Sequence, residues 1–173
     1  MSVRIVIDSL DFVRNAGIRH GKIPLNELER LHGLLFDHSG ELDFQVAGQF
    51  DKNGKPGLYI EIQGNMQLTC QRCLDKLTHH VDVKTFLLLA KNEIELNQSD
   101  NDDMLDAILA VPDLDIVSLI EDEVILSLSI SVRHADGECS MHIPASSEDN
   151  PIDNVKNAHP FAALASLKKT NRT

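Results

Sequence analysis

Cys70 and Cys73 stand two residues apart in the stretch LTCQRCLD, and the chain holds one further cysteine, Cys139. A CxxC turn can aim both sulfurs at one point, so it supplies two of the four tetrahedral ligands that a structural zinc ion requires. Cys139 is available as a third ligand. His134, five residues before it, or His142, three after it, is available as a fourth. The candidate ligand set is therefore Cys70, Cys73, His134 and Cys139, with zinc as the possible cofactor. Two other readings stay open beside it: metal-free structural cysteines, which rank first, and a redox dithiol, which ranks last. A reactive CxxC usually opens a helix whose dipole stabilises the thiolate, whereas this pair follows a strand pattern, and Arg72 between the cysteines offers only a modest pull on a thiol.

Other polar groups give little chemistry. His79 and His80 are adjacent, and neighbours on a strand point to opposite faces, so one metal cannot easily take both. Glu121, Asp122 and Glu123 are one or two residues apart on a helical pattern and do not face one another as a carboxylate dyad. Glu121 or Glu123 could cap or pair with a basic strand residue, while the three turn mostly to solvent. The sequence has no glycine-rich phosphate loop, GxSxG elbow or HExxH,. The expectation is a protein that is not an enzyme and takes no small-molecule substrate.

The elements that must position the cysteines read as α+β. VRIVIDSL alternates Val3, Ile5 and Ile7 as a first strand, followed by a basic connection with Arg14, Arg19, His20 and Lys22,. IPLNELERLHGLL spaces Leu25, Leu28, Leu31 and Leu35 at helical intervals, with Pro24 suited to a first turn,. A β meander follows. Leu42, Phe44 and Val46 alternate, Asn53-Gly54 makes a hairpin turn, and Leu58, Ile60 and Ile62 alternate until a pause at Gly64-Asn65,. The CxxC lies at the turn before a further strand carrying Leu77, Val81 and Val83.

NEIELNQSDNDDM reads as an acidic loop,. Ile116, Val117, Ile120, Val124 and Leu128 then suit a helix to about Ser127, with strand-like extended chain to Val132,. The predicted architecture is a largely antiparallel β meander, including the N-terminal strand, packed by two helices near 25–36 and 115–127, with an acidic loop and a flexible C-terminal helical tail. Residues 1–135 form the α+β core domain and 136–173 the linker and short terminal helix.

Charge bears on partners. The chain of 173 residues has a net charge of −11. Between Asn92 and Val132 lie Glu93, Glu95, Asp100, Asp102, Asp103, Asp106, Asp113, Asp115, Glu121, Asp122 and Glu123, with no Lys or Arg among them. That stretch repels phosphates. Aromatic residues are only 4 % of the chain, so platforms for stacking bases are poorly supplied. Lys156, Lys168, Lys169 and Arg172 would make a weak RNA tether, and Arg4, Arg14, Arg19, Lys22 and Arg30 would add to it if the fold gathered them. Phe161, Leu164, Ala165 and Leu167 form an apolar edge on the terminal helix. With Lys168 and Lys169 that edge suits an acidic, grooved protein partner, unless it docks on the chain's own sheet. No signal peptide and no run long enough to span a membrane are read. The odd cysteine count adds to an expected cytoplasmic location.

CQRCLDKLTHHVDV, then DLDIVSLIEDEVILSLSISVRH with Cys139 after it, then HPFAALASLKK, resemble in this order the bacterial YceD family, the large ribosomal RNA subunit accumulation proteins. The resemblance runs from about Leu68 to Lys169. It implies a non-enzymatic factor for the synthesis, processing or stability of 23S rRNA and for large-subunit assembly, acting with ribosome-assembly or rRNA-processing proteins and with rRNA directly or indirectly. The alternative is a small zinc-dependent protein-binding adaptor unrelated to ribosomes. LSLSISVRH is Ser-rich where relatives place prolines, and His159-Pro160-Phe161 stands where many have Asn-Pro-Phe. Some relatives carry a second cysteine pair where this chain has only Cys139.

Overall fold

In a computed structural model, the structure describes residues 4–99 and 106–139. The central feature is one long hairpin system. Strand β4 (Glu41–Phe50) pairs antiparallel with β5 (Pro56–Thr69), which pairs antiparallel with β6 (Lys76–Ala90). Alternation builds it: Leu42, Val46, Leu58, Ile60, Ile62 and Val81 all face the core, 0–1 % exposed. The polar residues between them, such as Asp43, Gln45 and Lys84, face out. Asp51 sets the first hairpin turn by accepting the N–H groups of Asn53 at 2.8 Å and Lys55 at 2.7 Å. Gly54 there takes φ +76°, a conformation that suits glycine,. The expected pause at Gly64-Asn65 is no break, because β5 runs through it. Gly64 is needed where a Cβ would lie 2.6 Å from Leu42 Cδ2.

Strand β2 (Ile18–Pro24) adds to the free edge of β4, and β7 (Ala107–Leu109) lies parallel to the end of β6. Strand β3 (Leu35–Asp37) pairs with β5 beyond the point where β4 ends. The α+β class with a mostly antiparallel sheet is as expected. The N-terminal strand differs: β1 (Val6–Ile7) joins no meander strand but pairs with β8 (Leu114–Asp115) in a separate two-stranded sheet. Asp8 then caps α1 (Ser9–Arg14), accepting the N–H of Asp11 at 2.9 Å, in what was read as strand and connection,. Helix α1 lies directly on β4. A Cβ on Gly48 would sit 2.7 Å from Val13 Cα.

The helix expected near 25–36 is absent. Two 3₁₀ turns, Leu25–Glu27 and Glu29–Leu31, stand there, followed by β3. Leu28, Leu31 and Leu34 each donate to the carbonyl of the leucine three residues earlier, at 3.2, 3.1 and 2.8 Å. A 3₁₀ turn eclipses residues i and i+3, so a leucine every third position buries Leu25, Leu28 and Leu31 fully. The acidic stretch is also more regular than expected, since Glu93–Ser99 forms α2. Residues 100–105 lie outside the described residues.

Helix α3 (Ile116–Ser127) is as read, capped by Asp115, whose carboxylate accepts the N–H of Val117 at 3.0 Å. Its expected solvent face needs one correction. Glu121 is 7 % exposed and accepts the Arg30 N–H at 2.7 Å, and Asp122 pairs with the Arg30 guanidinium. Among the described residues, no strand follows the helix. Ile130 is fully exposed between half-buried Leu128 and buried Val132, so the alternation belongs to an irregular segment that returns towards the β5–β6 turn.

Candidate metal centre

The β5–β6 hairpin closes through the loop Cys70–Asp75. Cys70 N–H donates to Asp75 O and Leu74 N–H to Cys70 O, both at 2.9 Å, with Leu74 in the left-handed region at φ +62°. This folding turns the sulfurs of Cys70 and Cys73 towards the same side. The segment after α3 brings the other half, anchored where Gln71 N–H donates to Val132 O at 2.9 Å. Cys70, Cys73, His134 and Cys139 thereby place their donor atoms within 4.8 Å of one another. The sequence-read set of four is brought together. His142 lies outside the described residues.

The distances can be set against a tetrahedron. With Zn–S of about 2.3 Å and Zn–N of about 2.0–2.1 Å, the edges are about 3.8 Å between sulfurs and about 3.6 Å from sulfur to nitrogen. The Cys70 and Cys139 sulfurs are 3.7 Å apart, and His134 Nδ1 lies 3.4 Å from Cys73 Sγ and 3.7 Å from Cys139 Sγ. All three cysteines are free thiols. His134 Nε2 lies 3.1 Å from Lys76 O. A proton on Nε2 donates to that carbonyl and leaves the Nδ1 lone pair facing the sulfurs, the outer contact that orients a ligand histidine. Three donor pairs match these edges and all four donors lie within 4.8 Å of one another, so the residues could hold a metal ion as a Cys₃His set.

Arg72, between the two loop cysteines, completes the surroundings. Its Nε donates to Cys139 Sγ at 2.9 Å, and its two terminal nitrogens reach Asp136 Oδ1 at 3.2 Å, His134 O at 3.2 Å and Ala135 O at 3.0 Å. Three thiolates and a neutral imidazole around a divalent ion carry one net negative charge, which the guanidinium offsets. The sequence reading credited Arg72 only with an effect on the thiols; its position inside the CxxC was the one available signal.

The cluster's electrostatics divide its members. Burial favours the Cys70 thiol, but the backbone amides of Cys73, Arg72 and His134 outweigh it and hold Cys70 down to about 5. For Cys73 the Asp75 amide favours thiolate, yet burial and the sulfurs of Cys70 and Cys139 prevail and raise it. The Cys139 and Cys70 sulfurs raise His134, with burial opposing and the Lys76 carbonyl assisting. A low thiol value alone would suit redox chemistry. Cys70, however, is 0 % exposed, and a nucleophile attacking a substrate disulfide must be reached.

Elsewhere the expected residues separate. His80 is exposed and lies 3.1 Å from Asn65 Oδ1, whereas His79 is half-buried on the opposite face and lowered by burial and by His80. Of the basic set proposed for RNA, Arg4 pairs with Asp115, Arg14 with Asp11, Lys22 with Glu41 and Asp43, and Arg30 with Asp122, while Arg19, exposed on β2, forms no ion pair among the described residues. Phe161, Leu164, Leu167, Lys168 and Lys169, read as an interaction edge, lie outside the described residues. Among the described residues, no helix is long and apolar enough to cross a membrane.

A meander closed at one end by a four-donor Cys/His cluster defines a small α+β protein that carries a candidate metal centre. Residues 58–168 match the family described as Large ribosomal RNA subunit accumulation protein YceD, and the chain belongs to that family. The matched span holds all four donors and runs through the Phe161–Lys168 stretch. The family's description ties it to the accumulation of large-subunit ribosomal RNA. No solved structure matches the chain.

Proposed function

We propose that this chain is a non-enzymatic, cytoplasmic factor that supports the processing or stability of 23S rRNA during large-subunit assembly, and that it carries one structural zinc ion. The observation that carries the zinc reading is the four-donor set. Cys70, Cys73, His134 and Cys139 offer the four donors that a tetrahedral shell needs, and a shell supplied wholly by protein is the structural kind, since catalytic zinc keeps a position open. The ribosomal reading rests on the family membership.

The route to RNA favours a protein partner. Phosphate would have to displace carboxylates from Arg4, Arg14, Lys22 and Arg30, and the acidic stretch Asn92–Val132 opposes approach,. The terminal edge of Phe161, Leu164 and Leu167 with Lys168 and Lys169, on the chain beyond Cys139, is the proposed contact for that partner. A strain depleted of this protein tests the proposal. Loss of mature 23S rRNA and of large subunits, restored by the intact chain, is the expected result. Normal rRNA and subunit profiles, with a pull-down free of ribosomal and rRNA-processing proteins, would instead leave an adaptor unrelated to ribosomes.

A further inference from the structure

Beyond Val132 the chain has no apolar anchor among the described residues. Val132 is buried, whereas Arg133, Ala135, Asp136, Gly137 and Glu138 are exposed, and only His134 and Cys139 are half-buried. No helix or strand covers 128–139. Holding such a polar stretch in one conformation costs backbone entropy that no buried apolar surface offsets there. Residues 133–139 nevertheless sit at defined distances from the β5–β6 turn. The bonds that join them to it run through the donor atoms of the cluster and through the Arg72 guanidinium.

The sheet domain stands on other contacts. Leu42, Val46, Leu58, Ile60, Ile62, Ile116 and Ile120 are all 0 % exposed in a core shared by the meander and α3. That core is a sufficient reason for the domain to fold with the metal absent, unlike a zinc finger, whose fold depends on its ion.

We infer that the Cys₃His centre is a clasp and not a folding element. Bound zinc pins residues 133–139 to the β5–β6 turn. Arg72 is its positioning residue, tying Cys139 and the 134–136 backbone to the ligand loop. The inference rests on the zinc reading above. It adds that metal loading governs the order of residues 133–139, leaving the β4–β6 sheet intact. Lysine cannot replace Arg72 here, because a point ammonium cannot serve a sulfur, a carboxylate and two carbonyls in the directions that a planar guanidinium does.

Hydrogen exchange read by mass spectrometry on the full chain tests this, before and after zinc removal by a chelator, with native mass spectrometry reporting zinc on the same samples. Zinc removal is expected to speed exchange of the 133–139 amides roughly tenfold or more while β4, β5 and β6 keep their protection. Arg72→Lys and Arg72→Gln are expected to fold and to bind zinc roughly 10–100-fold more weakly, as removal of an outer-shell partner does. Zinc that binds but whose removal leaves 133–139 unchanged, or exposes β4–β6 equally, overturns the clasp alone. Both Arg72 variants with unaltered affinity and exchange overturn the role of Arg72. A chain that takes up no zinc overturns the zinc reading and the clasp together.

Discussion

Glu121, in the middle of α3, accepts the backbone N–H of Arg30 at 2.7 Å, joining the helix to the 3₁₀ leucine turns 91 residues earlier in the chain. The carboxylate is 7 % exposed, so it serves this contact and not the solvent. Glu121→Ala removes the acceptor from that N–H and is expected to lower stability by about 1.5–3 kcal/mol, the range for hydrogen bonds to charged groups. Glu121→Gln keeps an acceptor oxygen and is expected to cost less. Urea unfolding of the three proteins measures both, and an unchanged Glu121→Ala midpoint would refute the assignment.

The same contact shows where the sequence was legible. Strands β4, β5 and β6 were readable because one face is buried, which forces a strict period of two on Leu42, Val46, Leu58, Ile60 and Ile62,. Leu25, Leu28 and Leu31 misled because a three-residue spacing fits one stripe of an α-helix and the eclipsed face of a 3₁₀ turn alike. Strand β2 gave almost no signal, since only Ile23 of its seven residues is buried. The donor set was legible because few residue types bind zinc and the chain has so few cysteines. The Lys76 carbonyl was not, because a backbone acceptor leaves no mark on sequence. Glu121 looked like part of a solvated acidic face, as its partner is a backbone N–H far away in the chain.

Each of the four donors should matter to metal, and not equally to folding. Cys70→Ser, Cys73→Ser, Cys139→Ser and His134→Ala are each expected to lose stoichiometric zinc, and to lose the thiolate-to-cobalt absorption that Co²⁺ gives when it substitutes at a tetrahedral site. His134→Cys supplies another soft donor and is expected to retain metal. Native mass spectrometry and cobalt titration check this. Cys139→Ser with full zinc occupancy would remove Cys139 from the site.

The direction of the pKa shifts sets how zinc uptake depends on pH. Ligands must shed protons to bind. Cys73 and His134 are raised, so both hold protons to higher pH than usual, whereas Cys70 is held down to about 5 and releases its proton earlier. Affinity is therefore expected to keep climbing with pH until Cys73 and His134 have both shed their protons, with protons released on binding,. In the metal-free chain the signs oppose. The depressed Cys70 value stabilises the fold above its unfolded range, a contribution lost as pH falls through about 5,. The raised His134 value stabilises below its unfolded range, and that contribution fades as pH rises through the raised value,. Calorimetry in buffers of different ionisation enthalpy reads the proton release.

Two glycines separate close approach from mere turn composition. At Gly48 a Cβ would meet Val13 Cα at 2.7 Å and Phe12 O at 2.8 Å, both backbone atoms that cannot swing aside. Gly48→Ala is expected to cost about 1–3 kcal/mol through displacement of α1. At Gly33 nothing lies within 4 Å of the added carbon, so Gly33→Ala is expected to be neutral or to stabilise by up to about 1 kcal/mol through the unfolded chain. Thermal unfolding of the pair checks the contrast, and equal effects would contradict the packing of α1 on β4.

RNA binding, if the chain shows any, should come from its terminal bases and not from its sheet. Arg4, Arg14, Lys22, Arg30, Arg72 and Lys84 each lie against a carboxylate, and these pairs must open before a phosphate can take their place, which leaves Arg19 as the exposed base of β2 without an ion pair among the described residues. Lys156, Lys168, Lys169 and Arg172 could make four phosphate contacts at most, which corresponds to a salt slope of about −3.6 and a loss of about a hundredfold between 50 and 200 mM salt. Lys168→Glu with Lys169→Glu is expected to flatten that slope by about two, whereas Arg14→Glu or Lys22→Glu should leave it unaltered. Fluorescence anisotropy with a large-subunit rRNA fragment across salt concentrations measures it. A slope steeper than about −4 that responds to Lys22→Glu would place RNA on the sheet and make the protein a direct RNA binder.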